Sequence, residues 1–120
     1  MRILDANMIL RYLLNDNQAM ADKTEKYLNA GDVYVTIEIM AEVVYVLKGV
    51  YSIERSEISY ALKKFLELVN CHEMRVLSIA LDMFAGHNLD FVDCVLYGYN
   101  RVYSAEIATF DKDLLKLLNA

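Results

Sequence analysis

Four carboxylates, Asp5, Glu42, Asp93 and Asp111, stand in neighbourhoods where an acid needs a reason. Glu42 lies inside IMAEVVYVL, with apolar residues at 39–41, 43, 44, 46 and 47. A carboxylate so surrounded costs several kcal/mol to desolvate unless a cation or hydrogen-bond donors meet it. The plainer alternative is a solvent-facing glutamate. However, Glu38, four residues earlier, would share its face and repel it, and Lys48, six residues on, is not at pairing distance. An external cation is the more natural partner for Glu42. Asp93 is ringed in the same way by Phe91, Val92, Cys94, Val95 and Leu96. Asp5 closes the apolar run Met1–Leu4, and Asp111 follows Ile107–Phe110; each could equally cap the helix after it. Asp90 reads best as an N-cap with Asp93 at the third helical position, a variant of the capping box. If the four acids converged with no cation, they would repel and some would titrate high. Ligation by oxygen alone suits Mg²⁺ or Mn²⁺.

The elements that must position these acids alternate between short β-type runs and helical patterns. Met1–Leu4 reads as a first strand, Met8–Leu14 as a helix, and Gln18–Ala30 as an amphipathic helix stopped by Gly31. Val33–Val35 is a second strand, and Thr36 can cap a long helix from Ile37 to about Val50. A helix over 56–70 buries Ile58, Ala61, Leu62, Phe65, Leu66 and Val69 on one face. Met74–Leu77 is the expected third strand, Ser78–His87 a helix, and Asp90–Tyr103 another. Ala105–Phe110 is the expected fourth strand, with Lys112–Leu118 as the last helix. Strands separated by helices predict an α/β fold with a parallel sheet covered on both faces. In such sheets ligands bind beyond the carboxyl ends of the strands, where Asp5 and Asp111 fall. Thr109, two residues before Asp111, puts a hydroxyl on the same side of that strand.

At 120 residues the chain is a single domain, with no proline, linker or repeat to divide it. With 57% apolar and 24% charged residues it has the composition of a packed core, not of a disordered chain. The mean hydropathy of +0.23 is high, and the surplus is expected to be covered by another chain. No apolar run reaches the length of about 18 residues needed for a membrane span, and Asp5 interrupts any secretory signal, so a cytoplasmic protein is expected. Cys71 and Cys94 are then free thiols, and with only two histidines there is no zinc constellation. The net charge of −5 argues against a general nucleic-acid coat but is compatible with a nuclease, whose bound cations reverse the local field. Of the nine tyrosines, Tyr45, Tyr97, Tyr99 and Tyr103 either line a groove or dimer face or simply pack.

Taken in order, ILDANMILRYLL, AEVVYVLKGVY, LDFVD and ATFDKDL resemble the four acidic motifs of the PIN-domain ribonucleases, closest to the VapC-type toxins of toxin–antitoxin pairs. No motif is specific alone; the signal is four in order across nearly the whole chain. The resemblance implies a three-layer α/β/α fold with a central parallel sheet of four strands, or five, although little chain follows the last helix. It also implies Mg²⁺- or Mn²⁺-dependent cleavage of single-stranded regions of RNA and a cognate antitoxin, while the apolar excess, with broad apolar faces on Met40–Tyr51 and Ser56–Asn70, predicts a homodimer. By motif, Asp5, Glu42, Asp93 and Asp111 are the metal-site acids, Asn7 and Thr109 support them, and Asp90 is an accessory acid. Arg11, one turn after Asn7, either reaches a phosphate or an antitoxin carboxylate or is simply solvated. Two other readings remain. A phosphatase using Asp5 as phosphoryl acceptor would want an aspartate at position 7, where this chain has Asn7. A catalytically silent scaffold that only binds protein or RNA would have no need of all four acids.

Overall fold

The structure, a computed structural model, describes all 120 residues. Two strands, β1 (Arg2–Ile3) and β2 (Val33–Tyr34), pair in parallel with Arg2 opposite Val33 and Ile3 opposite Tyr34. A parallel pair needs a crossover, and helices α1 (Ala6–Leu14) and α2 (Gln18–Ala30) supply it. The rest of the chain is helical: α3 (Ile37–Gly49), α4 (Arg55–Leu66), α5 (Met74–Gly86), α6 (Phe91–Tyr103) and α7 (Lys112–Leu118).

The helix starts follow from short polar side chains. Asp5 accepts from the Met8 amide at 2.9 Å, Asn17 from Met20 at 3.1 Å, Thr36 from Ile39 at 3.2 Å and Asp111 from Leu114 at 2.8 Å. Each satisfies an amide that the first helical turn would otherwise leave unpaired. Gly31 ends α2 at φ 83°, a backbone that a side chain rarely tolerates. The core is a single cluster of 24 buried residues, drawn from Leu4 just after β1, Val33 of β2 with Val35 beyond it, every helix from α3 to α6 and the segments beside them, and Ala6, Ile9 and Leu10 of α1. Helices α5 and α6 cross closely at Gly98, where an added Cβ would sit 2.8 Å from the Val76 carbonyl oxygen. Cys94 is fully buried at this crossing, and burial pushes its thiol up to about 11. Both cysteines are free.

Three expectations from the sequence are corrected. Met74–Leu77 is not a strand but the first turn of α5. Val76, Leu77, Ala80, Leu81 and Phe84 are its buried residues, and that spacing is one helical face. The third sheet position is instead a single parallel bridge from Tyr34 to Asn70, because α4 stops at Leu66 and releases the chain before residue 70. There, Val35 donates to the Asn70 carbonyl at 2.9 Å, and the Asn70 amide donates to Val33 at 2.7 Å. Finally, Ala105–Phe110 forms no strand: none of its backbone groups bonds to another backbone group, although its residues alternate between half-buried and exposed. The molecule is α/β, with a small parallel sheet in place of the expected four or five strands. No helix is long and apolar enough to cross a membrane.

Candidate carboxylate site

The best-defined acids are those at the start of α6 and the start of α7. Asp90 holds the N-cap position of α6 with extended backbone, but its side chain makes no capping bond and stays exposed. Asp93 lies one turn into α6, on the border between the buried face of Phe91, Cys94 and Val95 and solvent. Its carboxyl is raised above the usual range, first by burial and then by the negative charges of Asp111 and Asp90. These three side chains therefore share one electrostatic neighbourhood. Asp111 is held from two sides: its amide donates to Thr109 Oγ1 at 3.0 Å, and its Oδ1 caps α7. Thr109 thus fixes the backbone at Asp111.

Neither Asp5 nor Glu42 is among the charges that raise Asp93. Asp5 sits at the end of the β1 segment with Oδ1 committed to capping α1. Glu42 is exposed, contrary to the apolar surroundings its sequence suggests. The buried residues of α3 are Met40, Val43, Val44 and Leu47, and this stripe leaves Glu38, Glu42 and Tyr45 on the far side. The desolvation argument for Glu42 therefore fails, because its apolar neighbours in sequence point away from it. Across the protein, no three Asp, Glu, His or Cys side chains converge closely enough to hold one metal ion. Asn7 is exposed in the first turn of α1. Arg11 is half-buried and tied to Asp16 at 2.7 Å and to the Tyr51 hydroxyl at 3.4 Å, which makes it a clamp between α1 and the end of α3.

One contributor was not anticipated from the sequence. Arg55, the first residue of α4, donates through Nη1 to the carbonyls of Phe84 at 3.2 Å, His87 at 2.6 Å and Leu89 at 2.8 Å. Its guanidinium lies 4.2 Å from the centroid of the Phe84 ring. This gathers the turn between α5 and α6, and so sets where Asp90 and Asp93 begin. The available signal was a cation at a helix N-terminus, where the helix dipole disfavours it. Beside the acids a groove of about 570 Å³ opens between α3 and α6, with Tyr45, Lys48, Phe84, Asp90 and Asp93 among its lining.

The PIN-domain family model matches residues 2–118. The chain belongs to the PIN-domain family. PIN domains are generally nucleases, which makes a hydrolase the class of this protein. Comparison with curated proteins and comparison with solved structures each find no significant match.

Proposed function

We propose that this PIN domain is a Mg²⁺- or Mn²⁺-dependent endoribonuclease that cuts single-stranded regions of RNA, and that it is the toxin of a toxin–antitoxin pair. The observation that carries the nuclease reading is the half-buried Asp93, whose carboxyl is raised first by burial and then by the charges of Asp111 and Asp90, a cost that an arriving cation would relieve. The donor set fits such a cation. It is oxygen only, and Mg²⁺ is commonly held by one or two carboxylates together with water and substrate phosphate, so a complete protein cage is not required. Asp93 and Asp111 are the residues that would hold it, with Asp5 and Glu42 as the further acids of the motif set. When bound, such an ion activates water for attack on the scissile phosphate and stabilises charge on the leaving oxygen. Thr109 orients Asp111 through its amide, Asp90 adds negative charge beside Asp93, and Asn7 is a polar neighbour of Asp5 in sequence.

The toxin assignment rests on the four motifs and on apolar side chains left in water. Phe110 is fully exposed next to Asp111, and Val50 and Tyr60, away from the groove, are more than half exposed. We take these as surface for a homodimer and for an antitoxin, within a cytoplasmic protein. A second reading, a catalytically silent scaffold that binds protein or RNA, is favoured by the lack of three converging ligands.

Cleavage of RNA with accessible loops decides between the two. Activity should need Mg²⁺ or Mn²⁺ and vanish in EDTA. Asp5→Asn, Asp93→Asn and Asp111→Asn should each remove most of it without unfolding the chain, and Glu42→Gln should cost far more than Glu38→Gln. Binding of RNA with no cleavage in either metal would favour the scaffold. Light scattering across a concentration series, and co-purification with the product of the adjacent open reading frame, test the dimer and the antitoxin.

A further inference from the structure

The geometry points to the groove between α3 and α6 as a subsite for one unpaired base of the substrate, stacked on Tyr45 next to the carboxylates. This rests on the nuclease reading above and adds to it the position where the RNA is gripped.

Tyr45 is 76% exposed, yet it lines a concavity and not a flat face. Ala41 and Val44 stand beside it on α3, while Phe84, Phe91 and Val92 form the facing wall. The groove of about 570 Å³ falls within the range of small-ligand sites, roughly 300–1,000 Å³. A base presents a flat π face that stacks on an aromatic ring whatever its identity, and only an unpaired base can leave its helix to do so. One turn along α3, on the same side as Tyr45, Lys48 is exposed and makes no ion pair, so it is free to meet a backbone phosphate. Arg55 also lines the groove, but its guanidinium is anchored to the α5–α6 turn through Nη1, with Nη2 3.5 Å from Asn88 Oδ1, so Lys48 is the more mobile cation. Asp90 and Asp93 line the same groove from the start of α6. A nucleotide extending from the groove would therefore carry its phosphate toward the acids. A second copy of the chain is the weaker occupant, since an apolar face closing over Asp90 and Asp93 would strip them of water with no cation in return.

The test is a cycle of protein and RNA changes. A single-stranded oligonucleotide with one cleavage position is compared with versions carrying an abasic site at each position around the cut. Cleavage is followed in Mn²⁺ and binding by anisotropy in EDTA. One abasic position is expected to weaken KM and binding about tenfold with little change in kcat, the scale of one lost base–aromatic stack. Tyr45→Ala should cause the same loss and should then be indifferent to that abasic site, and Tyr45→Phe, which keeps the ring, should restore the sensitivity. Additive losses, or a Tyr45→Ala variant with unchanged KM and binding, would overturn the subsite. So would a Tyr45→Ala change that only splits a dimer, as seen by light scattering. If the wild type fails to cleave in Mn²⁺, the nuclease reading falls, and the binding arm alone decides the subsite.

Discussion

Replacing Arg55 with methionine keeps the side-chain stem over Phe84 and removes every donor. The turn between α5 and α6 then loses three charge-assisted bonds, to the carbonyls of Phe84, His87 and Leu89. The His87 carbonyl can turn to water, because that contact is exposed; the contacts to the Phe84 and Leu89 carbonyls are part-buried, so water replaces Arg55 there less readily. Leaving a buried acceptor unpaired costs about 1–3 kcal/mol, so two cost roughly 2–6 kcal/mol. Losing the contact of the cation with the Phe84 ring adds about 0.5–1 kcal/mol. Removing a positive charge from the N-terminus of α4 returns about 0.3–1 kcal/mol. The losses win, and a net cost of about 3 kcal/mol is expected. For a chain of this size that lowers Tm by roughly 10–15 °C. Arg55→Lys supplies one compact cation in place of the fork and should recover only part of the loss. Thermal unfolding followed by circular dichroism reads the shift, and amide hydrogen exchange should show the opening centred on residues 84–90. A methionine variant melting within about 3 °C of wild type would refute the reasoning, since it would mean that water satisfies the turn as well as Arg55 does.

Gly98→Ala pits helix propensity against space. Alanine gains up to about 1 kcal/mol within a helix, but its Cβ would meet the Val76 carbonyl oxygen at 2.8 Å and Val76 Cγ1 at 3.1 Å, and overpacking of this kind costs about 1–3 kcal/mol. A net loss of about 1–2 kcal/mol is expected in urea unfolding, and a gain would mean that α5 and α6 slide apart freely. Because Asp93 titrates above the ordinary carboxylate range in the folded chain, its contribution to stability is full below that range and is lost as pH rises through the raised value. In EDTA at neutral pH, Asp93→Asn should therefore melt no lower than wild type, with any advantage fading near pH 3; a variant less stable at pH 7 would contradict the repulsion from Asp111 and Asp90.

Much of this protein is decided locally and was legible in its residues. The caps at Asp5, Asn17, Thr36 and Asp111 bond to amides three residues away, so a short polar side chain before an apolar run is enough to announce each helix. Thr109 and Asp111 meet because they are two residues apart. The four acidic motifs in order resemble those of the PIN-domain family, and the family model agrees over residues 2–118. What the tertiary structure alone decided is how far each residue lies from water. Glu42 looked buried because its sequence neighbours are apolar, but a helix turns each neighbour by about 100°, and the face that α3 buries is the one Glu42 does not share. Met74–Leu77 looked like a strand because four residues are too few to separate a period of two from one of 3.6; packing against α6 made them helical. Ala105–Phe110 has strand-forming residues but no partner for its backbone, and pairing is a property of two segments that neither one encodes alone. Arg55 stands 29 residues before the nearest of the carbonyls it binds, so only the fold could disclose what it holds.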